Sequence, residues 1–224
     1  MQHNLYSAKL VSGMIVVLSI TMRKKLLLVI FSGLVVIQAS VAPHVIVFYG
    51  DSLTAGYGLD PEVAFPSLVE KALLEKGKEV KVVNAGLSGE TSAGGLSRLD
   101  WVLRQRVDIF VLELGANDGL RGLPIEQTEK NLQAIVDKVK AKNPGVKIVI
   151  AGMMVPPNMG PDYSSRFQKV FPEIARRNNA TLIPFLLQDV AGDEKLNQAD
   201  GIHPNTAGHQ AVARNVLEVL EPLL

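Results

Sequence analysis

The sequence contains no cysteine. This excludes disulfides, thiolate metal sites, a cysteine nucleophile and a lipid-modified N-terminal cysteine. It does not exclude export, because an exported protein need not carry disulfides. An excess of either charge is also missing, the formal net charge being +1 over 224 residues. No global basic field points to nucleic acid, and there is no acidic tail. No single apolar run reaches the roughly 20 residues that a membrane span needs. Internal repeats, low-complexity tracts and a linker that would divide residues 43–224 are absent as well.

What is present begins with a legible leader. Residues 22–25 (MRKK) are basic, residues 26–37 are almost wholly apolar, and Ser40 and Ala42 are small residues at the spacing a signal peptidase accepts. That is the order of a secretory signal. Pro43 disfavours cleavage directly after Ala42, which leaves the cleavage position soft. Residues 10–20 form a second apolar run without basic residues after Lys9. The reading adopted is translation from Met22, with residues 1–21 an upstream extension and a signal peptide at about 22–42. The alternative is that both apolar runs form one uncleaved membrane anchor. About 180 residues then remain, residues 43–224, enough for a single domain.

Strand-like runs rich in Val, Ile and Leu recur at 45–49, 80–84, 108–114, 147–152 and 181–184. Such runs suit strands buried on both faces. Helical stretches lie between them, at 64–76, at 124–142 and after Pro204. In the last, Val212, Val216, Val219, Leu220 and Leu223 form one stripe. Alternating strands and helices predict right-handed βαβ units, an α/β fold with a mostly parallel five-stranded sheet. Ligands bind such sheets beyond the carboxyl ends of the strands.

Four segments fall at that edge. They are "GDSL" at 50–53, "NAGLSGET" at 84–91, "GAND" at 115–118 and "DGIHP" at 200–204. Together they hold a hydroxyl, glycine-freed N–H groups, an amide, an imidazole and a carboxylate. That set suffices for acyl transfer. Ser52 needs a base, and His203 is the best-placed imidazole. A carboxylate on its other nitrogen fixes the tautomer, and Asp200 can fold back across Gly201 to supply it. The N–H groups of Ser52 and Gly89 and the Asn117 amide are the donors for a tetrahedral oxyanion. Taken singly, each piece has a plainer reading: Ser52 as a helix N-cap, the Gly/Asn segments as turns. Their joint occurrence in order favours the catalytic one. Asp51 is read as holding the turn, Gly50 as allowing the backbone to turn tightly, and His209 as a surface residue of the last helix.

These blocks, "GDSLTAGYG", "NAGLSGETSAGGLSRL", "ELGANDGLRG" and "DGIHPN", resemble the SGNH, or GDSL, hydrolase superfamily over nearly all of residues 44–224. Within it the chain is similar to the periplasmic branch of acyl-CoA thioesterase I, lysophospholipase L1 and arylesterase. The resemblance implies a three-layer α/β/α flavodoxin-like fold with Ser52 as nucleophile, His203 as base, Asp200 as its partner and Gly89 and Asn117 in the oxyanion hole. It implies no metal and no cofactor, a periplasmic location and a small or single-chain lipid ester or thioester as substrate. No nucleic acid is expected as partner, contact with membrane is expected only through the leader or the lipid substrate, and the state expected is a monomer. Gly86 stands where relatives often have serine and is read as backbone tolerance. The loop after the fourth strand departs from the family in having Met159 where tyrosine is common. Met154, Pro156, Asn158 and Met159 are the candidates for the acyl site, although Met153, Met154 and Met159 are equally readable as core. Two alternatives stay open, a carbohydrate O-acetyl esterase of the same superfamily and a non-catalytic, membrane-tethered binding protein.

Overall fold

The computed structural model describes residues 42–224, so both calls on the leader, signal peptide and anchor, lie outside the described residues. No described helix is long and apolar enough to cross a membrane. Five strands form one sheet: β1 His44–Gly50, β2 Val80–Gly86, β3 Ile109–Glu113, β4 Lys147–Ala151 and β5 Thr181–Ile183. All pairings are parallel, in the order β2-β1-β3-β4-β5. Every residue of central β3 is buried, whereas edge strand β2 is only partly covered. A strand packed on both faces is mostly apolar, as Ile109–Leu112 are here before Glu113 closes the strand, and an edge strand need not be.

Seven helices connect and cover the described sheet: α1 Ser52–Ala55, α2 Phe65–Glu75, α3 Ser92–Val102, α4 Ala116–Leu120, α5 Ile125–Lys142, α6 Pro161–Asn178 and α7 Thr206–Leu220. α2 packs on α7, and α5 packs on both α3 and α6. The core lies between helices and sheet, around Phe48, Tyr49, Phe110, Phe167 and Phe171. α5 buries Leu132, Ile135, Val136 and Val139, the spacing of one helical face.

Two long helices were not anticipated. α3 opens on Ser-Ala-Gly-Gly, and each interior glycine costs roughly 1 kcal/mol of helix propensity. The structure gives one of them a reason: a Cβ on Gly95 would lie 2.4 Å from Leu114 Cδ1. Tyr49 also donates its hydroxyl to the Gly95 carbonyl. α6 carries Pro172 in its interior. Proline removes one helical hydrogen bond, but Pro172 and Gln168, whose carbonyl loses its partner, both lie on the exposed face. Phe167, Val170, Phe171 and Ile174 carry the helix on its buried side.

The chain leaves β1 and β3, neighbours in the sheet, towards opposite layers. This strand-order reversal opens a crevice beyond their carboxyl ends. Gly50, the last residue of β1, pairs with Gly86 on one side and Glu113 on the other. The four chemistry-bearing segments converge around that point.

Candidate active site

The serine sits on a turn built by its neighbours. Asp51, not Ser52, is the N-cap of α1, its carboxylate accepting from Leu53 N at 3.1 Å. Ser52 is the first helical residue and is nearly buried. Gly50 is needed for space rather than for a special turn angle. Its φ is not positive, but a Cβ would lie 2.1 Å from Thr54 Oγ1 and 2.3 Å from Glu113 Oε2. Gly86 likewise is required by close approach and is not mere tolerance, since a Cβ there would stand 2.3 Å from Ala55 N.

Beneath the turn lies Glu113, fully buried at the end of β3. Its Oε2 accepts from Asp51 N at 3.1 Å, Thr54 N at 3.3 Å and Thr54 Oγ1 at 2.7 Å. Burial, and then the charge of Asp51, push its carboxyl well above the usual range. The sequence carried a signal for Glu113, an acid closing an otherwise apolar strand.

The loop before α7 brings the imidazole over the serine. His203 Nε2 lies 2.9 Å from Ser52 Oγ, and His203 Nδ1 lies 2.7 Å from Asp200 Oδ2. Asp200 Oδ1 accepts from the backbone N–H of His203 and of Ile202, each at 3.0 Å. Gly201, at φ +74, makes this fold-back possible. The His203 N–H leads the interactions that hold the Asp200 carboxyl down to about 2. Asp200 is thus ionised and accepts from Nδ1–H, leaving Nε2 unprotonated towards Ser52.

Ser52 and Asn117 border the cavity beside His203, and Glu90, the residue after Gly89, accepts from the Asn117 amide. The N–H groups of Ser52 and Gly89 have no protein acceptor among the described residues. Gly89 is exposed, with φ +78. Asn117 donates from Nδ2 to Asp51 Oδ2 at 3.2 Å and to Glu90 O at 3.1 Å. Both its hydrogens are thus held by long bonds. Three side chains fix the surrounding segments. Arg98 grips the Glu90 carboxylate and donates to Ala85 O, and its guanidinium lies 4.3 Å from the Tyr49 ring centroid. Arg121 donates to Gly89 O. Asp118, buried, accepts from Ser92 N and Oγ of α3 and from Thr128 Oγ1 of α5, and Asn131 Nδ2 of α5 donates to Ser92 Oγ. None of these three was singled out from the sequence, because their partners are distant in the chain.

A largely apolar cavity of about 650 Å³ adjoins Ser52, Asn117 and His203. Its walls include Leu120, Met153, Met154, Pro156, Leu187 and Ile202. Of the loop candidates, Met154 and Pro156 line it. Asn158 and Met159, in the short 3-10 turn at Pro157–Met159, are not among its walls, and Met159 Cε lies near Gly122. Met153 is buried and Met154 exposed, so the core reading holds for the first only. His209 is corrected too. It is buried at 1% exposure, stacks on Phe65, and its Nδ1 accepts from Phe65 N at 3.1 Å. The helical stripe of α7 places it inward, facing α2.

A serine–imidazole–carboxylate chain beside free N–H donors, at the carboxyl edge of a parallel sheet covered on both faces, defines a serine hydrolase acting on carboxylic esters. The GDSL-like Lipase/Acylhydrolase family model matches residues 48–211, and the chain belongs to that family. It is 39% identical to esterase TesA of Pseudomonas aeruginosa over 193 residues, 86% of this chain and 95% of that protein. It is 36% identical to thioesterase 1/protease 1/lysophospholipase L1 of Escherichia coli, over 87% of this chain and 91% of that protein. The crystal structure of the psychrotrophic esterase EstA from Pseudoalteromonas, inhibited by monoethylphosphonate, superposes with a TM-score of 0.76 at 36% identity, covering 80% of this chain and 97% of that one.

Proposed function

We propose that the protein hydrolyses carboxylic esters and thioesters through an acyl-enzyme on Ser52. His203 Nε2 takes the hydroxyl proton as Oγ attacks the carbonyl carbon. Asp200 holds the other ring nitrogen and stabilises the imidazolium. The negative charge on the former carbonyl oxygen is met by the N–H of Ser52, the N–H of Gly89 and the Asn117 amide, which turns one of its long hydrogen bonds towards it. Collapse breaks the ester or thioester bond, and His203 gives its proton to the departing alcohol or thiol. Water then attacks the acyl carbon with His203 again as base. The carboxylic acid leaves, and Ser52 recovers its proton.

The observation that carries this reading is the unbroken contact from Asp200 Oδ2 to His203 to Ser52 Oγ, at 2.7 and 2.9 Å. The cavity supports acyl groups with an apolar chain, as in aryl esters, short- to medium-chain acyl esters, acyl-CoA or lysophospholipids. No cofactor takes part in this scheme. The protein acts as a monomer, exported to the periplasm after removal of a leader at about residues 22–42.

One experiment tests the chemistry. Wild type and Ser52→Ala are compared on p-nitrophenyl esters of increasing chain length and on acetylated sugars, with covalent labelling by a serine-directed phosphonate. Loss of turnover by roughly a million-fold and loss of the adduct are expected in the variant. Equal turnover with no adduct on Ser52 would remove the mechanism. Activity confined to acetylated sugars would replace the substrate class. N-terminal sequencing of the exported protein tests the leader, and an intact Met1 or Met22 would show an anchor instead.

A further inference from the structure

A closed circuit of contacts joins the serine turn to the histidine loop, and one residue outside the acyl-transfer scheme is in it twice. Tyr57 follows α1. Its N–H donates to Ser52 O at 3.0 Å. Its own carbonyl accepts from Gln198 Nε2 at 2.7 Å. Gln198 in turn donates from its backbone N–H to His203 O at 2.7 Å and from Nε2 to Pro204 O at 3.1 Å. The approach of Gln198 depends on Gly58, where a Cβ would lie 2.6 Å from Gln198 Oε1. The circuit closes through space as well, because the Tyr57 ring centroid lies 4.6 Å from that of His203, the planes tilted by 38°.

This contact answers a need of the site. The Asp200 side chain is 38% exposed, against 17% for His203. Water therefore screens the attraction between this carboxylate and an imidazolium. An aromatic face within about 6 Å of a cation attracts it through the ring quadrupole. Tyr57 is half exposed, and the face of its ring that is covered lies against the imidazole.

We infer that the Tyr57 ring is a positioning element for His203: it holds the imidazole in line with Ser52 and favours its cationic form when the serine proton arrives. The inference rests on the acyl-transfer reading of the site. The other groups that face His203 are Asp200 from its own loop, Ser52 and Asp51 from the serine turn, and His209 from α7. Within each measurement that follows these groups are the same in all Tyr57 variants, Ser52 being alanine throughout the first and intact throughout the second.

Two measurements on the full chain test it. In a Ser52→Ala background, which needs no turnover, the His203 ring is titrated by proton NMR with Tyr57, Tyr57→Phe or Tyr57→Leu. The leucine variant moves the midpoint down by roughly half a unit, and phenylalanine keeps it at the Tyr57 position. With Ser52 intact, the acid limb of kcat/KM shifts by the same amount in Tyr57→Leu. There kcat falls about fivefold while KM stays near the wild-type value. Tyr57 is half exposed, so melting temperatures near wild type are expected, and the phenylalanine variant controls for folding. An unmoved midpoint in Tyr57→Leu overturns the inference, as does an equal shift in both variants, which would assign the effect to the hydroxyl. Failure of the acyl-transfer reading would show differently, as turnover that survives Ser52→Ala.

Discussion

Asp51 Oδ2 accepts a hydrogen bond from Asn117 Nδ2 at 3.2 Å, tying the residue before the nucleophile to an oxyanion donor. The other Asp51 oxygen accepts from Leu53 N at 3.1 Å. Both oxygens therefore act as acceptors. An asparagine at this position has one acceptor only, so Asp51→Asn sets two N–H groups against each other or frees the cap of α1. We expect kcat on p-nitrophenyl butyrate to fall about tenfold, part of the 100-fold to 1,000-fold that removal of a whole oxyanion donor costs. Unchanged kcat would mean that Asn117 keeps its orientation without Asp51.

Glu113 supplies the acceptor for three donors of the serine turn from one oxygen, and its second oxygen has no partner. Glu113→Gln is close to isosteric and keeps an acceptor oxygen for these donors, so it retains the fold and most activity. Glu113→Ala strands Asp51 N, Thr54 N and the Thr54 hydroxyl, and we expect it to cost about 2–4 kcal/mol by urea denaturation at pH 7. Equal destabilisation by Gln and Ala would show that the turn needs a charged carboxylate.

These residues mark how far the sequence could be read. The five strands were legible because β-branched runs between loop signals have no other good use in a chain of this length. The chemistry was legible because nucleophile, amide, acid and base each follow a strand or precede the last helix, so strand direction alone brings them to one edge. Ser52, Asp200 and His203 meet in that way. The reasons for Gly50 and Gly86 were not legible. A glycine kept for close approach looks in sequence like one kept for its backbone angle, and the atoms it avoids, Glu113 Oε2 and Ala55 N, are set by pairing. α6 was hidden by Pro172, although its Phe167, Val170, Phe171, Ile174 spacing was present. His209 was misjudged because a histidine was taken for polar, whereas the neutral ring packs on Phe65 as an apolar plate.

His209 therefore makes the fold sensitive to acid. Burial, with the nearby His203 second, pushes its pKa down to about 4 from 6.5. As pH falls below 6.5 the unfolded chain takes up a proton that the folded chain refuses, and stability is lost until about pH 4. The loss is about 2 kcal/mol between pH 7 and pH 5. Asp51 acts in the opposite direction, since burial lifts its pKa to about 6 and the folded chain then binds the proton more readily. The His209 effect is isolated by subtracting His209→Gln, which keeps an acceptor for Phe65 N and cannot titrate. The stability advantage of wild type over this variant should shrink by that amount from pH 7 to pH 5, measured by urea denaturation. A constant difference would mean that the imidazole is protonated in the fold.

The loop after β4 gives the last prediction, because sequence and structure divide its residues differently. Met154 lines the cavity, and Met159 lies away from it. An acyl chain long enough to reach the wall gains about 0.8 kcal/mol for each CH₂ it buries, whereas an acetyl group gains nothing there. Met154→Ala removes part of that wall. The ratio of kcat/KM for p-nitrophenyl octanoate to that for the acetate should fall about fivefold, through octanoate alone. Met159→Ala should leave the ratio unchanged while altering stability, since its contacts are with the Gly122 turn. A drop in the ratio for Met159→Ala, with none for Met154→Ala, would place the acyl chain along the loop that the sequence favoured instead of in the cavity beside Ile202.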